Sequence, residues 1–247
     1  MNKRNLKQLT VLFALIGIII MIHLMTPKII AFQQRMNLEK ARIQTLEKIN
    51  EIKNIETTDR AYLEVKFICQ APLQTEENWT HHEESCEEAA LLQAITYEEN
   101  NEITPEEADE IIKDMISWQN DNFGEHKDLY ADDMKRFITE YYNLEDEEVI
   151  ITPNATVNDI KKAVLDGHPV IVPITGEILK NPYYPYPGYH MLTVIGFTED
   201  KIITNDNGTR KGKDFSYDIS VFEKAFKDAG GDIITLSLSK NSPPLQP

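Results

Sequence analysis

The chain changes hydrophobic rhythm three times. Leu9 to Met25 reads LTVLFALIGIIIMIHLM, an apolar run interrupted mainly by Thr10, Gly17 and His23. Lys3, Arg4 and Lys7 precede it, and Ile29, Ile30, Ala31 and Phe32 extend it beyond Thr26-Pro27-Lys28. A span needs about 20 apolar residues, and basic residues before it stay cytoplasmic. The pattern therefore predicts a cytoplasmic N-terminus over residues 1–8 and a transmembrane signal anchor over 9–32, with the rest outside the cell membrane. A cleaved signal would need a small-x-small site, which Thr26-Pro27-Lys28 and Ala31-Phe32-Gln33 fit poorly. Residues 33–60 are charged, free of Gly and Pro, and rich in helix formers. Ile43, Leu46, Ile49, Ile52 and Ile55 recur every three residues, which drifts round a helix and gives a poor apolar stripe. A solvated helical stalk or linker is predicted there.

Residues 61–240 read as one domain, followed by a flexible tail over 241–247. Tyr62 to Ile68 alternates like a strand, and Gln70 to Ser85 reads as a polar loop. Helices are predicted over 86–99, 104–119, 130–142 and 157–166. The second is marked by Thr104-Pro105-Glu106-Glu107 and the fourth by Asp166-Gly167 at its end. The character then turns to strands over 169–174, 191–197, 201–204 and 233–238. A short strand at 215–217 and a helix over 221–229 lie between them. Helices first and an antiparallel sheet afterwards predict an α+β fold.

Charge divides the same way. The net charge is −16, but residues 1–60 carry ten basic and five acidic side chains, a net of +5. The remainder carries fifteen basic and thirty-six acidic ones, a net of −21. Such a surface repels phosphate backbones, which excludes a nucleic-acid partner. Two cysteines are too few for a disulfide scaffold or a four-cysteine zinc site.

The candidate chemistry starts at Cys86, at the predicted start of a helix. Ser85 can cap that helix, and Glu87 and Glu88 occupy its first turn. A helix N-terminus favours the thiolate, and a nucleophilic cysteine needs a base. His190 follows the loop NPYYPYPGY and opens an otherwise apolar strand. Asn205-Asp206 ends the next strand, and an antiparallel pairing would bring it near His190. A Cys69–Cys86 disulfide and a plain Asp206-Asn207-Gly208 turn are the competing structural readings. Trp79 and the cluster Tyr183, Tyr184, Tyr186 and Tyr189 flank the two halves, lining a substrate groove or packing the loop. Four adjacent residues, His81 to Glu84, cannot easily converge on one ion, so no metal and no cofactor are expected.

The stretch VKFICQAPL…NW…ESCEEAALL, with GYHMLTVIGF and IITNDNGTR beyond it, resembles the double-glycine-peptidase-like family, stand-alone domains of the papain-like cysteine peptidases. The resemblance covers about residues 62–239. It implies a papain-like fold and a thiol peptidase with a peptide or protein substrate. It also implies Cys86 as nucleophile, His190 as general base and acid, Asp206 as orienting residue, and Gln70 as oxyanion donor. Gln74 competes with Gln70, and Asn205 with Asp206. Trp79 and Tyr189 are the expected substrate-binding residues. The Cys-Gly step common in the exporter domains is absent at Cys86-Glu87, so double-glycine specificity does not transfer. Two further classes stand beside the peptidase: a thiol acyltransferase of transglutaminase-like type, and a non-catalytic peptide-binding relative. The 104 residues between Cys86 and His190 count against the transferase.

Overall fold

The computed structural model describes residues 30, 33–49, 53, 58–184 and 188–238. The chain falls into two units, Met1–Asn54 and Ile55–Pro247. In the first, residues 33–49 are helical with every side chain exposed, Leu38 and Ile49 included. Among the described residues no helix is long and apolar enough to cross a membrane. The expected anchor over 9–32 lies outside them, apart from Ile30, and so does the tail over 241–247.

In the second unit, after one short strand, four helices come first. They are α1 (Glu76–His81), α2 (Cys86–Glu98), α3 (Pro105–Phe123) and α4 (Ala131–Tyr142). Helix α5 (Val157–Leu165), the single turn α6 (Gly176–Leu179) and α7 (Ile219–Asp228) are set among the strands. The strands are β1 (Ala61–Tyr62), β2 (Val149–Thr152), β3 (Val170–Thr175), β4 (Tyr189–Phe197), β5 (Lys201–Asn205), β6 (Phe215–Asp218) and β7 (Ile233–Leu236). They form a sheet in the order β2-β7-β3-β4-β5-β6, with β1 added beside β4, and every pairing is antiparallel.

The local chemistry explains the ends. Thr104 and Glu107 close a capping box on α3 with Pro105 at its first position, and Thr156 and Asp159 do the same for α5. Alternation along the strands then sorts side chains to two cores. Ile171, Met191, Ile234 and Leu236 pack with Leu91, Leu92, Met115 and Phe137 of α2, α3 and α4. Val170, Val172, Leu192 and Val194 pack with Ile160, Phe222 and Phe226 of α5 and α7. Helix α2 is buried from Cys86 through Thr96, so it has no solvent stripe and works as the central helix.

Three expectations need correction. The alternating run 62–68 pairs as a strand only at its start, Tyr62 against Gly196, after Ala61 pairs with Phe197. Gly196 is required there, since a Cβ would stand 2.7 Å from the Ala61 carbonyl oxygen. The rest of the run is held one bond at a time, as where Asn205 Nδ2 donates to the Val65 carbonyl at 2.9 Å. The loop 70–85 contains helix α1, capped by the Thr75 hydroxyl. Strand β2, next to an acidic surface run, finds its partner 84 residues away in β7.

Candidate active site

Three chain segments meet where α2 begins. Cys86 is its first residue, so its own N–H has no acceptor within the helix. Ser85 stands at the cap but does not cap with its side chain. Its Oγ lies 3.3 Å from His82 Nδ1 instead. Cys86 Sγ accepts the N–H of Met191 at 3.3 Å, which sets the sulfur one residue along β4 from His190. The thiol also faces its neighbour, with Sγ donating to Glu87 Oε2 at 2.9 Å. Burial pushes the thiol well above its ordinary range, and the Glu87 charge adds to that; the Met191 N–H works the other way. The helix start therefore does not yield a lowered thiol as it stands. Desolvation and an adjoining carboxyl outweigh the dipole.

Strand pairing delivers the imidazole. His190 lies opposite Ile174 in β3, and β4 pairs with β5 through Thr193 and Asn205. The chain then turns so that the residue after β5, Asp206, meets His190: Nε2 lies 3.0 Å from Asp206 Oδ1. Asp206 is fully buried. It also accepts the Gly208 N–H at 3.3 Å, Asn181 Nδ2 at 3.0 Å and the Tyr184 hydroxyl at 2.7 Å, and the Tyr217 hydroxyl as well. Burial pushes its carboxyl up, but His190 and the two phenols together hold it below the usual range. An ionised Asp206 keeps the hydrogen of His190 on Nε2 and leaves Nδ1 as the free acceptor. Gly208 lies against the ring, where an added Cβ would stand 2.8 Å from His190 Cε1. The Tyr184 ring meets the imidazole edge-on at 5.1 Å.

The remaining expected residues sort clearly. Asn205 faces away, bonding Val65 and the Asp214 N–H, so of the pair only Asp206 touches His190. Gln70 is buried, and Nε2 gives both hydrogens to carbonyls, His82 O and Glu83 O at 2.8 Å each. Gln74 is exposed in a turn with φ 56°. Trp79 is half-buried on α1, with the Arg210 guanidinium 5.9 Å above its ring. Tyr189 packs on Tyr130 at 5.4 Å and donates to the Leu129 carbonyl at 2.9 Å. Both cysteines are free. Cys69 donates instead to the Asn207 carbonyl at 3.4 Å, and burial pushes its thiol up to about 11.

Two important residues were hidden from sequence reasoning. Asn207, inside an apparent turn signal, ties the segments together. Its Nδ2 donates to Cys86 O at 2.9 Å and to Met191 O at 3.1 Å, and its own carbonyl accepts the Gln70 N–H at 3.0 Å. Glu87 looked like a solvated first-turn carboxylate but is 1% exposed. No sequence signal separates the two cases. Among the described residues no group of three or more His, Cys, Asp or Glu is set to hold a metal ion. One cavity lies toward the other end of α2, lined by Tyr62, Lys66, Tyr97 and Glu102, and includes neither Cys86 nor His190.

A family model described as Peptidase C39-like matches residues 62–234. A crystal structure of a candidate C39-like peptidase from Bacillus anthracis superposes with a TM-score of 0.52 at 15% identity, covering 74% of this chain and all of that one. At that identity the likeness speaks for the fold. No curated protein matches the chain.

Proposed function

We propose that this chain, which belongs to the Peptidase C39-like family, is a papain-like cysteine peptidase held at the cell membrane with its catalytic domain outside. The observation that carries the reading is the Met191 N–H bond to Cys86 Sγ, next to an imidazole whose far nitrogen is fixed on Asp206. In this proposal His190 Nδ1 takes the Sγ proton and the thiolate attacks the acyl carbon of an amide. The Cys86 N–H receives the developing oxyanion. Gln70 supplies a second donor when the oxyanion displaces one of the two carbonyls its amide now holds. One such donor is worth roughly 10²–10³ in rate. The His190 imidazolium then protonates the leaving amine, and water releases the acyl group from sulfur. Trp79 and Tyr189 supply aromatic surface for a peptide substrate.

The chemistry is tested with a peptidyl electrophile that acylates or traps thiolates. The full chain is expected to be labelled at Cys86, and Cys86→Ala to be unlabelled. Equal labelling of both defeats the nucleophile assignment. Labelling without release of any amine product would leave a binding relative of the family. The anchor is tested separately with a C-terminal tag, which external protease should remove from intact cells; a protected tag refutes the outward orientation.

A further inference from the structure

The first turn of α2 carries two carboxyls, Glu87 and Glu88, each 1% exposed. Carboxylates in that turn ordinarily face water and complement the helix dipole. Glu87 instead has both oxygens committed inside the protein. Oε1 accepts the Leu129 N–H at 2.8 Å, and Oε2 accepts the Cys86 Sγ–H at 2.9 Å. The sulfur's other partner, the Met191 N–H, is itself a donor, so Glu87 is the acceptor of the thiol's hydrogen. The groups facing this pair are the carboxyls of Glu88 on the same helix and Asp128 from the loop before α4, the Tyr189 phenol from β4, and two imidazoles, His126, 3.3 Å from Glu88 Oε1, and His190, which faces Asp128; the carboxyls stand nearest the thiol and Glu87. A thiolate at this place would stand within 3 Å of a carboxylate in a water-poor setting, where like charges repel most strongly.

We infer that Glu87 holds Cys86 as the uncharged thiol in the resting protein, competing with His190 for the Sγ hydrogen, so that the nucleophile is released only when that hydrogen turns from Glu87 Oε2 to the imidazole. In the release step the S–H bond breaks and an Nδ1–H bond forms. The Glu87 carboxylate is unchanged, and the total charge is conserved as thiolate plus imidazolium. The functional consequence rests on Cys86 being the nucleophile; the state of the thiol does not. Burial pushes the Glu87 carboxyl up along with the thiol, while the Cys86 Sγ–H and Leu129 N–H that its two oxygens accept work the other way and favour the charged carboxylate.

The test is a pH titration of ultraviolet thiolate absorbance, taken as the difference between the full chain and its Cys86→Ala variant, which needs no substrate. The Cys86 thiolate is expected to form only above the ordinary thiol midpoint of about 8.5. Glu87→Gln, whose amide oxygen can still accept the Leu129 N–H, is expected to lower the midpoint by about one pH unit or more. At neutral pH that is roughly a tenfold larger thiolate fraction. A wild-type midpoint below about 8 overturns the inference, as does an E87Q midpoint that does not move. Where E87Q fails to fold, the wild-type midpoint decides alone. Failure of the peptidase reading looks different: no labelling by the peptidyl electrophile in either form, while the absorbance midpoints still shift.

Discussion

Two imidazole–carboxylate pairs flank the start of α2, one serving Ser85 and the other near Cys86. In the first, His82 Nδ1 lies 3.3 Å from Ser85 Oγ and Nε2 lies 2.9 Å from Asp109 Oδ1. Asp109 is completed by Asn78 Nδ2 and by Lys113 Nζ at 2.6 Å. That is the Ser-His-Asp chain of a serine-hydrolase triad with the two ring nitrogens exchanged. Yet the His82 and Ser85 residues are wholly buried and Asp109 is 2% exposed, so nothing can reach the hydroxyl. The second pair has the same imidazole–carboxylate bond, but the His190 side chain is 9% exposed. It is also assembled from β4 and the turn after β5 rather than from the end cap of α1 and from α3. The comparison teaches that hydrogen-bond connectivity does not make a site. The first network clips the segment 78–85 to α3 and so fixes where α2 begins; the second ends one residue along β4 from the N–H that Cys86 Sγ accepts.

Substitutions at the two adjacent residues should therefore part most widely. Cys86→Ser is expected to reduce peptide cleavage by on the order of 10³ or more. Ser85→Ala should leave the rate per folded molecule within a few-fold and cost about 1 kcal/mol of stability. Comparable rate losses for both would erase the distinction. The carboxylates come next. Asp206→Asn should lower kcat roughly 10²–10⁴-fold by disturbing which His190 nitrogen carries the hydrogen. Asp109→Asn should cost about 1–3 kcal/mol in denaturant unfolding with little change in kcat. A smaller loss, about 10- to 100-fold in kcat/KM, is expected for Gly208→Ala, whose methyl must displace the imidazole by a fraction of an ångström. Unchanged kinetics there would mean that the ring position is not limiting.

Much of the second network was legible and almost none of the first. Cys86 was visible because helix signals bracket it, and His190 because a titratable residue opens an apolar strand. Asp206 was visible because it closes the next antiparallel strand. Each of these is a statement about an element's end, where periodicity breaks. His82 sat inside a charged stretch, His81 to Glu84, that read as uniformly solvated. The structure buries His82 and exposes its neighbours, because helix α1 turns that one side chain toward α3. The same blindness hid Glu87, since dipole complementarity and burial against a thiol call for the same residue type at the same position. Strand β2 was lost because its partner is distant in sequence. The run 62–68 was over-read because alternation reports one buried face, as at Val65, and not a ladder partner.

The subtlest difference between the two networks lies in acid. Burial outweighs Asp109 and holds the His82 imidazole below its ordinary value, so the folded protein keeps it neutral. The unfolded chain protonates the same ring near its ordinary value of about 6.5. Between those two values the unfolded state binds more protons, so stability rises with pH there. The contribution is fully present above about 6.5 and is lost as pH falls through the folded value. His82→Gln, which cannot titrate but can still bond Ser85 or Asp109, should flatten the stability slope just below pH 6.5 at some cost in stability at neutral pH. Asp206 and Asp109 are held low as well, so their contributions persist through this window and vanish only below the ordinary carboxylate range, at about pH 4 and under. Urea midpoints measured from pH 7 to 3 should thus show two separate losses, and only the first should respond to His82. If H82Q leaves the upper loss intact, the buried imidazole is not its source, and the clip on α2 is insensitive to mild acid.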